Sequence, residues 1–235
     1  MIPEGRAQGQ AHDIVFLFDV DNTLLDNDRF SAELDARLVE ALGEPGRARY
    51  RQLYDTIRDQ RGYADYLEPL QQMRQPCEDD AGLLQLSTFL LDYDFARLLY
   101  PGARESLATA GRRGATVILS DGDMVFQPHK IRRAGLWDAV QGRVLVTVHK
   151  QRTLDAVQDA YPARHYVMVD DKPGLLAEIK AVLGTRVTTV FVRQGHYAQA
   201  GIAQDAPAAD ATIATIAELA NVDLGTGSAL IQELP

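Results

Sequence analysis

Five short apolar runs, at residues 14–18, 116–119, 144–148, 166–169 and 187–192, constrain this chain more than any other feature. Each is apolar throughout or nearly so, the pattern of strands covered on both faces in a parallel sheet. Stretches of helical character lie between them, at 104–113, 127–134, 151–160 and 175–183. Three of these stop at a glycine: Gly114, Gly135 and Gly184. Strand–helix alternation of this kind predicts an α/β fold with right-handed crossovers. Residues 211–213 suit a short edge strand and 215–220 a closing helix.

The interval between the first two runs is too long for one crossover. It reads as three helices, at 30–42, 47–61 and 81–91, with Leu34, Leu38 and Leu42, then Tyr50, Leu53, Tyr54 and Ile57, at helical spacing. The expected organisation is a core made of residues 1–25 and 100–235, interrupted by a helical domain over 26–99. Pro101-Gly102 marks the return to the core.

A chain of 235 residues is long enough for such a core with a smaller inserted domain. Its formal charge of −9 repels nucleic-acid phosphates and anionic membrane surfaces, so neither is an expected partner. A small anionic substrate remains compatible, because a bound cation can supply local positive charge. No apolar run approaches the ~18 residues of a membrane span, and residues 1–10 form a polar tail without a signal-like segment. Cys77, the single cysteine, cannot form an intrachain disulfide and has no positive neighbour to favour its thiolate. A cytoplasmic location is expected.

Polar residues collect where the apolar runs end, which in an open parallel sheet is the rim where ligands bind. Asp19 and Asp21 follow the first run within Asp19-Val20-Asp21-Asn22-Thr23. Two carboxylates leaving a buried strand are costly unless a divalent cation lies between them. Positions 19 and 21 point to one side of an extended segment, so one group can face a reacting atom and the other a leaving oxygen or water. Ser120-Asp121-Gly122-Asp123 follows the second run, where a hydroxyl can cap the next helix or present a donor to an oxyanion. Lys150 follows the third, where a lone lysine taken by itself reads as a solvated charge. His149 and His129 share no metal-ligand spacing with another His or Cys and are read as structural or surface residues. Asp170-Asp171-Lys172 follows the fourth run, and adjacent acids at a buried strand end imply a cation or strongly perturbed ionisation.

The ordered set Asp-x-Asp-x-Thr, Ser, Lys, Asp-Asp resembles the haloacid dehalogenase-like hydrolase superfamily over nearly the whole chain, including an insertion that looks like a type C1 helical cap. The resemblance implies a Rossmann-like parallel-sheet core with a mobile cap, and a magnesium-dependent phosphatase acting on a small phosphorylated metabolite. It implies Asp19 as nucleophile and metal ligand, and Asp21 as general acid and base with its carbonyl on the metal. Ser120 and Lys150 would bind the transferring phosphoryl group, with Asp121 beside it. Asp170 and Asp171 would hold Mg2+, with Asp171 in direct contact. Asn22 stands where many members have Gly, and Asp121 where many phosphatases have Asn. In the cap, Tyr54, Arg58, Arg61 and Tyr63 suit either contact with a leaving group or an ordinary surface.

The rival chemistries differ in what they require. A dehalogenase of this family needs no metal and normally lacks the second aspartate. Phosphonate cleavage needs a cap lysine, and residues 26–99 contain none. A phosphomutase shares every core residue. A receiver domain would place its acidic pair near the first strand, and a catalytically silent binding protein would lack a core residue.

Overall fold

The computed structural model describes residues 12–74, 80–199 and 208–222. Cys77 and the amino-terminal tail lie outside the described residues. Six parallel strands form one sheet: β1 (His12–Phe18), β2 (Ala115–Asp121), β3 (Val144–Thr147), β4 (Ala163–Asp170), β5 (Val187–Val192) and β6 (Ala211–Ile213). Their order is β3-β2-β1-β4-β5-β6. The chain thus builds outward from β1 in one direction and then in the other, so β1 and β4 meet where the order reverses. Crevices at such reversals are the usual ligand sites of open α/β sheets.

The apolar runs are buried as their composition predicts. Val15 and Leu17 turn to one face, with Val117, Leu119, Tyr166 and Met168. There they meet Leu154 and Val157 of α7 (Leu154–Ala160) and Leu176, Ile179 and Leu183 of α8 (Pro173–Leu183). Phe16 and Phe18 turn to the other face with Ile118, Val167, Val169 and Val190. α4 (Ala103–Gly111) and α5 (Phe126–Arg133) cover that side. The short α6 (Leu136–Ala139) leads into β3. β3 is the departure: as an edge strand it is half-buried throughout, despite its apolar sequence.

The helical insertion is α1 (Asn27–Arg61), α2 (Glu68–Met73) and α3 (Ala81–Asp92), followed by a 3-10 turn at Phe95–Leu98. α1 is two helices joined at Gly43, whose φ of 70° is left-handed and breaks the helix between the two expected segments. α2 has no counterpart in the sequence reading, being too short for a periodic signal. Asp65 starts it, accepting from the Leu67 and Glu68 amides at 3.1 and 2.9 Å. The chain leaves and re-enters the core side by side: Asp26 N donates to Leu98 O at 2.8 Å and Tyr100 N to Leu24 O at 3.0 Å. Phe30, Tyr66, Tyr93 and Phe95 of this region pack with Phe126 of α5, the Phe30 ring centroid lying 4.9–6.0 Å from the other four. Such aromatic pairs each add about 0.5–1.5 kcal/mol beyond their burial. After β5 the chain forms α9 (Gly195–Gln199), and the closing helix is a 3-10 segment at Ile216–Asn221. No helix among the described residues is long and apolar enough to cross a membrane.

Candidate active site

Asp19, Ser120, Lys150, Asp170 and Asp171 all lie at the carboxyl ends of β1–β4, on one rim. The register explains this directly: Phe18 pairs with Ile118 on one side and Val169 on the other, so Asp19 emerges level with Leu119 and Asp170. Beyond Asp19 the backbone closes a tight loop, with the amides of Thr23, Leu24 and Leu25 all pointing at Val20 O. Asn22 sits in the loop with φ 59°, a left-handed conformation that Asn tolerates better than most residues. Its Oδ1 accepts from the amides of Asn27 and Asp28 at 3.0 and 3.2 Å, so the side chain also helps start α1.

Lys150 is fully buried, and its Nζ donates to Asp19 Oδ1 at 2.5 Å, Asp170 Oδ2 at 2.8 Å and Leu119 O at 3.3 Å. Burial alone would lower its pKa, but the carboxylates of Asp170, Asp19 and Asp121 outweigh that and hold it well above lysine's ordinary value. His149 makes this placement possible. It takes a left-handed backbone, φ 60°, that aims the following residue back under the sheet end. The Lys150 amide then donates to Asp121 Oδ1 at 2.9 Å, which offsets part of the strain.

One ammonium cannot satisfy three acids. Ligand atoms of Asp19, Asp170 and Asp171 lie within 4.8 Å of one another, all three residues buried. Asp19 Oδ2 and both oxygens of Asp171 are buried without a hydrogen-bond partner. Burial, then the neighbouring Asp170 and Asp19, push the Asp171 carboxyl up to about 9. Burial also raises Asp170, against the pull of Lys150. A hard divalent cation ligated by carboxylate oxygens meets each of these demands. The donor set fits a hard divalent cation such as Mg2+, which the side chains of Asp19, Asp170 and Asp171 could hold.

Ser120 and Asp121 separate, as consecutive residues on a strand must. Ser120 is buried, and its Oγ accepts from Gln127 Nε2 at 2.9 Å, leaving its own proton to give. Asp121, expected beside the substrate, instead turns to the neighbouring strand, where Oδ1 accepts from Thr147 Oγ1 at 2.8 Å as well as from the Lys150 amide. It braces Lys150 and β3. Period-two alternation along β2 carries that distinction.

Two residues of the site were missed altogether. Lys130, fully buried on α5, donates to both oxygens of Asp21, at 2.5 and 2.7 Å. Gln127 spans Asp21 Oδ2 (3.2 Å) and Ser120 Oγ. Phe126, Gln127, Lys130 and Ile131 form the buried face of α5, and a lysine on such a face is the available signal. Asp21 is thereby clamped from behind while its side chain stays 27% exposed toward the rim. His129 is half-buried on α5, its Nε2 2.6 Å from Leu91 O. Of the insertion residues read as surface or substrate contacts, Tyr54 is buried beside Tyr66, whereas Arg58 pairs with Asp55 and Arg61 with Asp65.

The sequence pattern of the haloacid dehalogenase-like hydrolases matches residues 15–182, more than two thirds of the chain. The chain is 54% identical to a haloacid dehalogenase-like hydrolase from Burkholderia xenovorans LB400, covering 90% of this chain and 99% of that one, with a TM-score of 0.84. Its fold is also similar to that of an L-2-haloacid dehalogenase from Xanthobacter autotrophicus (19% identity, 92% and 99% coverage, TM-score 0.58). A third similar structure is that of a protein from Thermotoga maritima described as a β-phosphoglucomutase (17% identity, 88% and 96% coverage, TM-score 0.58). No curated protein matches the chain.

Proposed function

We propose that this chain, which belongs to the haloacid dehalogenase-like hydrolase family, is a magnesium-dependent hydrolase of small phosphate monoesters with Asp19 as its nucleophile. The observation that carries the reading is the orphaned Asp171. Both its oxygens are buried without a partner beside two more carboxylates that share one lysine. A haloacid substrate brings one negative charge and a carbon electrophile, and its displacement leaves such an acid uncompensated. A phosphate monoester brings two charges to a carboxylate nucleophile and requires the cation that the acids would hold.

Magnesium, when bound by Asp19, Asp170 and Asp171, supplies the positive charge that lets a carboxylate approach a phosphate dianion. Lys150 holds Asp19 in place through Oδ1, and the free hydroxyl proton of Ser120 is available to a phosphoryl oxygen. Asp19 forms a bond to phosphorus as the ester oxygen departs, giving an aspartyl-phosphate. Asp21, set in place by Lys130 and Gln127, gives a proton to the departing oxygen. It then takes one from the water that attacks phosphorus and restores Asp19. Residues 26–99 act as the cap that keeps bulk water from this rim, opening to exchange ligands. The paired entry and exit segments and the aromatic contact with Phe126 support that role.

The test is release of inorganic phosphate from a panel of phosphorylated metabolites and an aryl phosphate, with magnesium and with chelator, for the wild type and Asp19→Asn. Turnover that needs both the cation and Asp19, in a variant that stays folded, is expected. Equal rates for the two proteins refute the nucleophile, and metal-independent halide release from a 2-haloacid overturns the reaction class.

A further inference from the structure

The chain has four lysines, and three are matched to carboxylates: Lys130 to Asp21, Lys150 to Asp19 and Asp170, Lys180 to Asp210. Lys172 is the exception. Among the described residues no carboxylate comes within 4 Å of its Nζ. Yet it directly follows Asp171, and the carboxylates that act on it most strongly are those of Asp19 and Asp170. A half-buried lysine beside an acidic centre, whose ammonium meets no carboxylate among the described residues, is a costly arrangement unless something it binds completes it.

Its surroundings hold it in place. The Lys172 amide donates to Asp170 Oδ1 at 2.9 Å, and Pro173 opens α8 immediately after it. Its ammonium lies over the Tyr197 ring, 5.1 Å from the centroid. Tyr197 in turn packs on His196, with ring centroids 4.0 Å apart. His196 is tied to Asp28 at the start of α1 through its ring, Nδ1 to Oδ1 2.6 Å, and through its amide, 2.7 Å. Gly195 permits this closure: its φ is +69°, and a Cβ there would lie 2.5 Å from Asn22 Cβ. The cation therefore stands on a platform linking the end of β5 to the entry of the insertion. Depth separates it from Lys150. Lys150 is fully buried at the floor, whereas the platform residues His196 and Tyr197 are exposed. Lys172 is itself partly exposed and so lies nearer solvent than Lys150.

We propose that Lys172 binds a second anionic group, a carboxylate or a further phosphate, on the leaving portion of the substrate. The assignment rests on the phosphate-ester reading of the same site. It predicts substrates with two separated anionic groups.

The experiment compares phenyl phosphate with 4-carboxyphenyl phosphate in the wild type, Lys172→Gln and Lys172→Arg. Taking each variant as a ratio to the wild type cancels the intrinsic reactivity of the two esters. For Lys172→Gln, kcat/KM for the carboxylated ester should fall at least tenfold further than for phenyl phosphate, and Lys172→Arg should recover most of the difference. An equal fall for both esters, or none for either, overturns the proposal. Calorimetric binding of the two esters to Asp19→Asn, with magnesium and with or without Lys172→Gln, reads the same preference without turnover. If the wild type hydrolyses neither ester, the hydrolase reading fails. The calorimetry then decides for Lys172: tighter binding of the carboxylated ester that is lost on substitution supports the subsite, and no difference overturns it.

Discussion

Replacing Asp171 with Asn should make the metal-free chain more stable while removing its response to magnesium. The carboxyl is fully buried and pushed up to about 9, against an ordinary value of 3.8. Below pH 3.8 the group is protonated in both folded and unfolded chains and imposes no penalty. As pH rises from there toward 9, the unfolded chain releases a proton that the folded chain keeps, so folding loses stability over that whole window. Each pH unit costs about 1.4 kcal/mol, which accumulates to roughly 6 kcal/mol by pH 8 and about 2 kcal/mol at pH 5. The Asn amide remains buried without a partner at about 1–3 kcal/mol, so the net gain at pH 8 is about 3–5 kcal/mol and near zero at pH 5. For a chain of this size that is a rise in melting temperature of roughly 6 °C or more at pH 8. Thermal unfolding of both proteins from pH 5 to 9, in chelator and in magnesium, reads the effect. Wild type should gain stability from magnesium increasingly with pH, because binding requires Asp171 to be ionised, whereas Asp171→Asn should gain little. A variant that melts below wild type at pH 8 in chelator, or that responds to magnesium as wild type does, would refute the reasoning.

Other substitutions probe the residues around this centre. Lys130→Met removes the clamp on Asp21 and should lower kcat for an aryl phosphate by roughly tenfold to a hundredfold with little change in KM, measured by steady-state kinetics; an unchanged kcat would remove Lys130 from the proton-transfer machinery. Asn22→Gly relieves a left-handed backbone but deletes the acceptor for the Asn27 and Asp28 amides. It should therefore destabilise the chain by about 1 kcal/mol in denaturant unfolding, and a stabilised variant would show that the cap contributes less than the backbone strain.

Much of this site is visible in the linear pattern because burial and chemistry conflict there. An apolar run that ends in Asp19, Ser120 or Asp170 points to a strand end at a rim, since a buried carboxylate is costly unless a partner or ligand meets it. Elements shorter than two helical turns escaped: α2 and α9 span only six and five residues. Lys130 escaped for a different reason. A lysine within a helix ordinarily reads as solvated, and its partner Asp21 lies 109 positions away.

The amino-acid order alone determined the α/β architecture, the helical insertion, and the rim on which Asp19, Ser120, Lys150, Asp170 and Asp171 meet. It could do so because strand ends are set by local composition, and parallel strands share one direction. Only the tertiary structure decided which cation serves which acid. Lys150 joins Asp19 to Asp170, Lys130 clamps Asp21, Asp121 turns away to brace β3, and among the described residues Lys172 is left without a carboxylate. Those pairings depend on angstrom-scale distances between segments brought together by packing, and no spacing along the chain encodes them.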